Sequence, residues 1–195
     1  MNGKVQADMT LDCIGLACPM PIVKTRKTIG DLAEGQVLEI QATDKGSLAD
    51  LQAWSQKAGH QYVGTVTEGE VLKHYIRKAS SAEAKPEIRY PHTASNEELA
   101  QRLASGDDIR VLDVREAAEY AFRHVKGAIS IPLGQLENGH LSLSPDSELY
   151  VICRTGTRSD MACQWLSEHG FSRVKNVVPG MSAWIGETQS EVEEQ

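Results

Sequence analysis

No apolar run in this chain approaches the roughly 18 residues that a membrane-spanning helix needs, so no membrane association is expected. The first residues, Met1-Asn2-Gly3-Lys4-Val5-Gln6-Ala7-Asp8, lack the apolar core of a secretory signal, and a cytoplasmic location is the expectation. Basic excess is missing as well. Lys and Arg number 20 against 27 Asp and Glu, a net charge of −7, which argues against nucleic acid as a direct partner. Residues 1–78 hold nine charges of each sign, whereas residues 79–195 hold eleven basic against eighteen acidic. Much of that surplus lies in the tail 187–195, which reads as a frayed, solubilising end. Cysteines are few. Four in a reducing compartment do not make a disulfide framework. The spacings Cys13 to Cys18 and Cys153 to Cys163 fit no common zinc pattern, so neither a metal nor a separate cofactor is expected. No internal repeat is visible.

What the chain does have is length for two domains, 195 residues with 41% hydrophobic and 24% charged content. Residues 79–91, small and charged with two prolines, read as a linker with a short strand near Ile88 to Tyr90. Fully extended, it would reach about 40 Å. Residues 1–78 read β-α-β-α-β-β. Val5, Ala7, Met9 and Leu11 alternate as in a strand, and a helix follows Cys18. Ser47 with Asp50 three residues on resembles a capping box. Leu48, Leu51, Trp54, Ser55 and Ala58 form that helix's inner face, Gly59 ends it, and a hairpin turns at Glu68-Gly69. Residues 92–195 alternate strands and helices, which predicts a parallel, doubly wound sheet with its site at the carboxyl ends of the strands.

Two cysteines stand where a helix is expected to begin. Cys153 opens Cys153-Arg154-Thr155-Gly156-Thr157-Arg158-Ser159 directly after the apolar run Leu149-Tyr150-Val151-Ile152. Free N–H groups at a helix start favour thiolate over thiol. A loop curled around Cys153 would form an anion nest for a thiolate or a persulfide, with Gly156 free to take positive φ. Arg154 and Arg158 would add positive charge for an anion such as thiosulfate. Cysteine phosphatases place an arginine six positions after the cysteine. Here that position is Ser159 and the arginine falls one earlier, which disfavours phosphatase or arsenate reductase chemistry. Cys18, in Gly15-Leu16-Ala17-Cys18-Pro19-Met20-Pro21, is expected at a helix N-cap stiffened by two prolines. Lys24, Arg26 and Lys27 follow it, either as positive potential or as a solvated face. Cys13 reads as strand-end packing or as a resolving thiol for Cys18, and Cys163 as packing. His60 reads as a turn residue or one that faces Cys18. Trp54, Trp165 and Trp184 read as core.

The motifs Leu112-Asp113-Val114-Arg115-Glu116, His124-Val125-Lys126-Gly127-Ala128-Ile129-Ser130-Ile131-Pro132, the Cys153 loop and Gly180-Met181-Ser182-Ala183-Trp184 together resemble a single-domain rhodanese over about residues 92–186. That resemblance implies a persulfide on Cys153 and an active-site loop 153–158, with Arg154, Thr155, Gly156, Thr157 and Arg158 binding substrate. It implies structural roles for Asp113, Arg115 and His124. The segment Leu11-Asp12-Cys13-Ile14-Gly15-Leu16-Ala17-Cys18-Pro19-Met20-Pro21, with Trp54 and Gly59-His60, resembles the TusA/SirA-type sulfur carriers over about residues 7–78. It implies a persulfide carried on Cys18 within a small two-layer domain. The expected architecture is therefore α/β: an N-terminal two-layer βαβαββ sandwich (residues 1–78), the linker, and a rhodanese-like parallel sheet with helices on both faces (residues 92–195).

The expected activity is a sulfur relay, from a donor such as thiosulfate to Cys153 and on to Cys18 or to an external protein or low-molecular-weight thiol, with ping-pong kinetics. The alternative is a carrier or docking module that holds sulfur without turning over.

Overall fold

The computed structural model describes residues 5–84 and 88–192. Residues 1–4 of the signal reading, 85–87 of the linker and 193–195 of the tail lie outside the described residues. The chain divides into two compact units after Ser81. Among the described residues no helix is long and apolar enough to cross a membrane.

The first unit runs β1 (Met9–Cys13), α1 (Met20–Asp31), β2 (Val37–Ala42), α2 (Ser47–Ala58), β3 (Gln61–Glu68) and β4 (Val71–Arg77). Its sheet has the order β1-β2-β4-β3, with β1 parallel to β2 and the other pairs antiparallel. Alternation along β2 sends Leu38, Ile40 and Ala42 to one face, where Ile29, Leu32 and Leu51 of the helical layer cover them. Gly59 takes φ +77° and stops α2 as expected. The inner face of α2 is narrower than its periodicity implies. Leu51 and Ser55 are buried, Trp54 is half-buried, and Leu48 and Ala58 are exposed.

The capping box expected at Ser47 is not formed. Ser47 Oγ turns inward to His74 Nε2 at 2.9 Å, and the Asp50 carboxylate accepts from the thiol of Cys18. Tertiary partners outcompete the local cap because His74 is fully buried and needs its ring nitrogens satisfied. Tyr62 OH lies 2.7 Å from the other nitrogen, Nδ1.

A one-turn helix, α3 (Ser81–Ala84), opens the linker region. The short strand expected near Ile88 to Tyr90 is absent. Instead the N–H groups of Arg89 and Tyr90 donate to Asp160 Oδ1 at 3.0 and 2.8 Å, and Tyr90 packs into the core of the second unit. The first strand there comes later, β5 (Thr93–Ser95), and is followed by α4 (Asn96–Ala104). Ser95 Oγ caps α4 by accepting from Glu98 N–H at 3.1 Å.

The second unit continues with β6 (Ile109–Asp113), α5 (Ala117–Phe122), β7 (His124–Val125), β8 (Ile129–Ser130), α6 (Leu136–Gly139) and β9 (Glu148–Ile152). It ends with α7 (Thr157–Glu168), β10 (Val174–Val178) and β11 (Thr188–Gln189). Five parallel strands take the order β5-β10-β9-β6-β8, and β7 and β11 form a separate antiparallel pair. Strand β9 shows why this sheet is covered on both faces. Leu149 and Val151 join Ala162, Cys163 and Leu166 of α7, while Tyr150 and Ile152 join Leu99 of α4. Each fully buried aliphatic side chain contributes about 2 kcal/mol. The same alternation puts Cys153, the next odd residue, on the α7 side at the carboxyl end of the strand.

Candidate active site

Cys153 sits in the turn from β9 into α7, and the loop is built around its sulfur. Gly156, at the N-cap of α7, has φ +98°, a conformation that side-chain-bearing residues avoid. Its N–H points back at Cys153 Sγ, 3.1 Å away. Ser159 Oγ approaches the same sulfur at 3.3 Å and donates to Asn176 Oδ1 at 2.6 Å. Asn176, on β10, returns its Nδ2 to the Gly156 carbonyl at 3.1 Å, so one buried amide ties both ends of the loop. The other side is braced by the turn after β10. Met181 N–H donates to Cys153 O at 2.8 Å and Ser182 N–H to Arg154 O at 2.9 Å. Gly180 makes that approach possible, since a Cβ there would lie 2.5 Å from Cys153 O.

The Gly156 N–H aimed at the sulfur stabilises negative charge on it. Cys153 itself is fully buried, Arg154 and Thr155 are exposed, and Gly156 and Thr157 are buried. Thr157 Oγ1 has no hydrogen-bond partner among the described residues. Arg158 is buried and paired within the domain. Its guanidinium forks onto Glu119 of α5, at 2.7 and 3.0 Å, and its Nε lies 3.0 Å from Glu83 Oε1. With the carboxylate of Glu119 almost fully buried, an uncompensated charge there would be costly, and Arg158 neutralises it. The same guanidinium is close enough to Cys153 for their charges to interact.

The residues given structural roles hold the neighbouring turns. Arg115 Nη2 reaches Asp113 Oδ2 at 2.6 Å and the Arg123 carbonyl at 2.7 Å. The His124 ring stacks on Tyr120 at 3.7 Å. Cys163 is buried, and that burial raises its thiol's titration.

Cys18 presents the opposite setting. Helix α1 begins at Met20 with Pro19 at its N-cap, so Cys18 precedes the cap. Pro19 and Pro21 have no N–H, and Met20 N–H is committed to the Ala17 carbonyl at 3.0 Å. The helix end is thus poor in donors for a thiolate. The exposed Cys18 thiol instead lies 3.2 Å from Asp50 Oδ2. That hydrogen bond, some desolvation and the charges of Asp50 and Asp44 push its titration upward. Lys24 reaches the Asp12 carbonyl at 3.4 Å. His60 Nδ1 accepts from Ala79 N–H at 3.0 Å. Cys13 is fully buried, with burial raising its thiol, which fits packing and not a resolving thiol.

Comparison with known proteins agrees with this division. The family described as "Sulfurtransferase TusA" matches residues 9–78, and that described as "Rhodanese-like domain" matches residues 95–187. YrkF of Bacillus subtilis, described as a candidate sulfur carrier protein, is 46% identical over 185 residues, 95% of this chain and 100% of its own length. The chain belongs to this TusA–rhodanese family of sulfur carriers and sulfurtransferases. A second B. subtilis relative, YtwF, is described as a candidate sulfurtransferase. It is 37% identical over 103 residues, 53% of this chain and 96% of its own. A rhodanese-related protein of Thermoplasma volcanium has 29% identity and a TM-score of 0.46, covering 50% of this chain and 97% of that one.

Ser159, Asn176, Glu119 and Asp50 had no place in the site read from sequence. Ser159 carried a signal, its position in the cysteine loop. Asn176 and Glu119 carried none, being lone polar residues in distant elements. Asp50 was legible only as a helix cap.

Proposed function

We propose that this protein relays sulfane sulfur through cysteine persulfides, with Cys153 accepting it from a donor such as thiosulfate and passing it to Cys18 or to an external thiol. The observation that carries this reading is the Gly156 N–H aimed at Cys153 Sγ at the start of α7, in a loop that the Ser159–Asn176 hydrogen bond holds closed. Such a cradle suits both the attacking thiolate and the persulfide left after the donor's outer S–S bond breaks. The Thr157 hydroxyl is a further polar group available within the loop, and Arg154 is the exposed cation for an anionic donor. Four free cysteines suit a reducing cytoplasm. Incubation with thiosulfate followed by mass spectrometry is expected to add one sulfur to Cys153. Full loading and turnover in Cys153→Ser would overturn the assignment.

A second reading, a carrier that holds sulfur without turnover, is favoured by the inward turn of Arg158, which leaves Arg154 as the loop's exposed guanidinium. Steady-state thiosulfate:cyanide activity separates the two. Loading without turnover selects the carrier.

A further inference from the structure

We propose that Asp50 is the catalytic base of the carrier cysteine, taking the Cys18 proton as the sulfur attacks a donor persulfide. The inference deepens the relay reading and rests on Cys18 being a sulfur carrier.

Three observations carry it. Cys18 Sγ lies 3.2 Å from Asp50 Oδ2, within reach of direct proton transfer, and the thiol is exposed to an incoming donor. The start of α1 offers little to hold a resting thiolate, with two prolines and one amide already bonded. A nucleophile that rests as a thiol needs an adjacent base. Asp50 is also not engaged in capping α2, because Ser47, its expected partner, is bonded to His74. The other charges facing Cys18 are few. Asp44, in the loop before α2, adds a second negative charge, and its Oδ1 accepts from Gly46 N–H at 3.2 Å. Lys24 of α1 directs its ammonium to the Asp12 carbonyl.

The step balances without an oxidant. Asp50 accepts the proton of Cys18–SH while the sulfur forms a bond to the outer sulfur of a donor R–S–SH. The donor's S–S bond breaks and its electron pair leaves with R–S⁻. The proton on Asp50 then neutralises R–S⁻ to R–SH, leaving Cys18–S–SH and a regenerated carboxylate.

The test follows Cys18 loading by glutathione persulfide, by rapid quench and mass spectrometry, in the full chain carrying Cys153→Ser. With Asp50 present, loading is expected to stay nearly level from pH 8 to pH 6. With Asp50→Asn, loading at pH 6 should fall at least tenfold and then follow the thiolate fraction, about tenfold per pH unit. Iodoacetamide alkylation of the same variant should report a lower Cys18 titration point, since a negative neighbour is gone. More thiolate with slower loading is a combination that a merely structural or repulsive role does not produce. Asp50→Glu, which keeps the carboxylate, should recover part of the rate. Unchanged or faster loading in Asp50→Asn with an unchanged pH profile would overturn the proposal. Absence of loading with Asp50 intact would overturn the carrier reading itself, and the proposal with it.

Discussion

Arg158, five residues after the reactive cysteine, turns its guanidinium onto Glu119, making two hydrogen bonds of 2.7 and 3.0 Å with side chains that are almost fully buried. The ion pair joins the first turn of α7 to α5, so it sets how the cysteine loop sits on the domain. Removing one partner of a buried pair strands the other's charge. Arg158→Ala is expected to lower unfolding free energy by about 3 kcal/mol, read as a drop in urea midpoint. Arg158→Lys should recover only part, because an ammonium cannot reproduce the planar fork. Wild-type stability in Arg158→Ala would refute this structural role.

Arg154 should behave in the opposite way. It is exposed, so Arg154→Ala should leave the urea midpoint within about 0.5 kcal/mol of wild type. Its loss should raise KM for thiosulfate several-fold, and added salt should shrink the difference because the contact is screened. A KM unaffected at low salt would remove Arg154 from donor binding.

Ser159→Ala deletes a group that approaches Cys153 Sγ and leaves Asn176 Oδ1 without its donor at 2.6 Å. The stranded acceptor is expected to cost about 1–3 kcal/mol. Turnover should drop roughly tenfold, consistent with about 1.4 kcal/mol of lost stabilisation at the sulfur. Urea unfolding and thiosulfate:cyanide kinetics measure the two effects separately. Full activity would show that the hydroxyl serves Asn176 alone.

His74 gives the first unit an acid-sensitive point. Burial pushes its titration down to about 4, whereas an unfolded histidine takes up its proton near 6.5. Between those values the unfolded state binds the extra proton, so stability falls as pH drops through the window. Allowing for solvent screening, the loss from pH 7 to pH 5 should be about 1–2 kcal/mol. Amide exchange in β4 at the two pH values reads it. His74→Gln should flatten the dependence, and an equal slope in that variant would place the acid sensitivity elsewhere.

Much of the architecture is legible in the chain because its cues are local. Leu149, Val151 and Cys153 alternate with Tyr150 and Ile152, and that alternation already implies a strand buried on two faces. Gly59 after Ala58 marks the end of α2, and Ser95 with Glu98 marks the start of α4. Cues failed where two long-range partners competed with a local one. Ser47 and Asp50 have the spacing of a cap, yet His74 claims the first and Cys18 the second. The strand expected near Ile88 to Tyr90 failed likewise, since Asp160 takes the amides of Arg89 and Tyr90.

The two cysteines divide along the same line. Sequence alone determined that Cys153 follows a buried strand, that a glycine three residues on permits the loop to close, and that two prolines flank Met20 after Cys18. Those are properties of backbone permission, and each residue carries its own. Only the tertiary structure decided which charges reach which sulfur. Glu119 pairs with Arg158 of one loop, and Asp50 brings a carboxylate to the thiol of the other. Both partners come from separate elements packed by the hydrophobic cores. Electrostatic roles depend on distance in space, which separation along the chain does not encode.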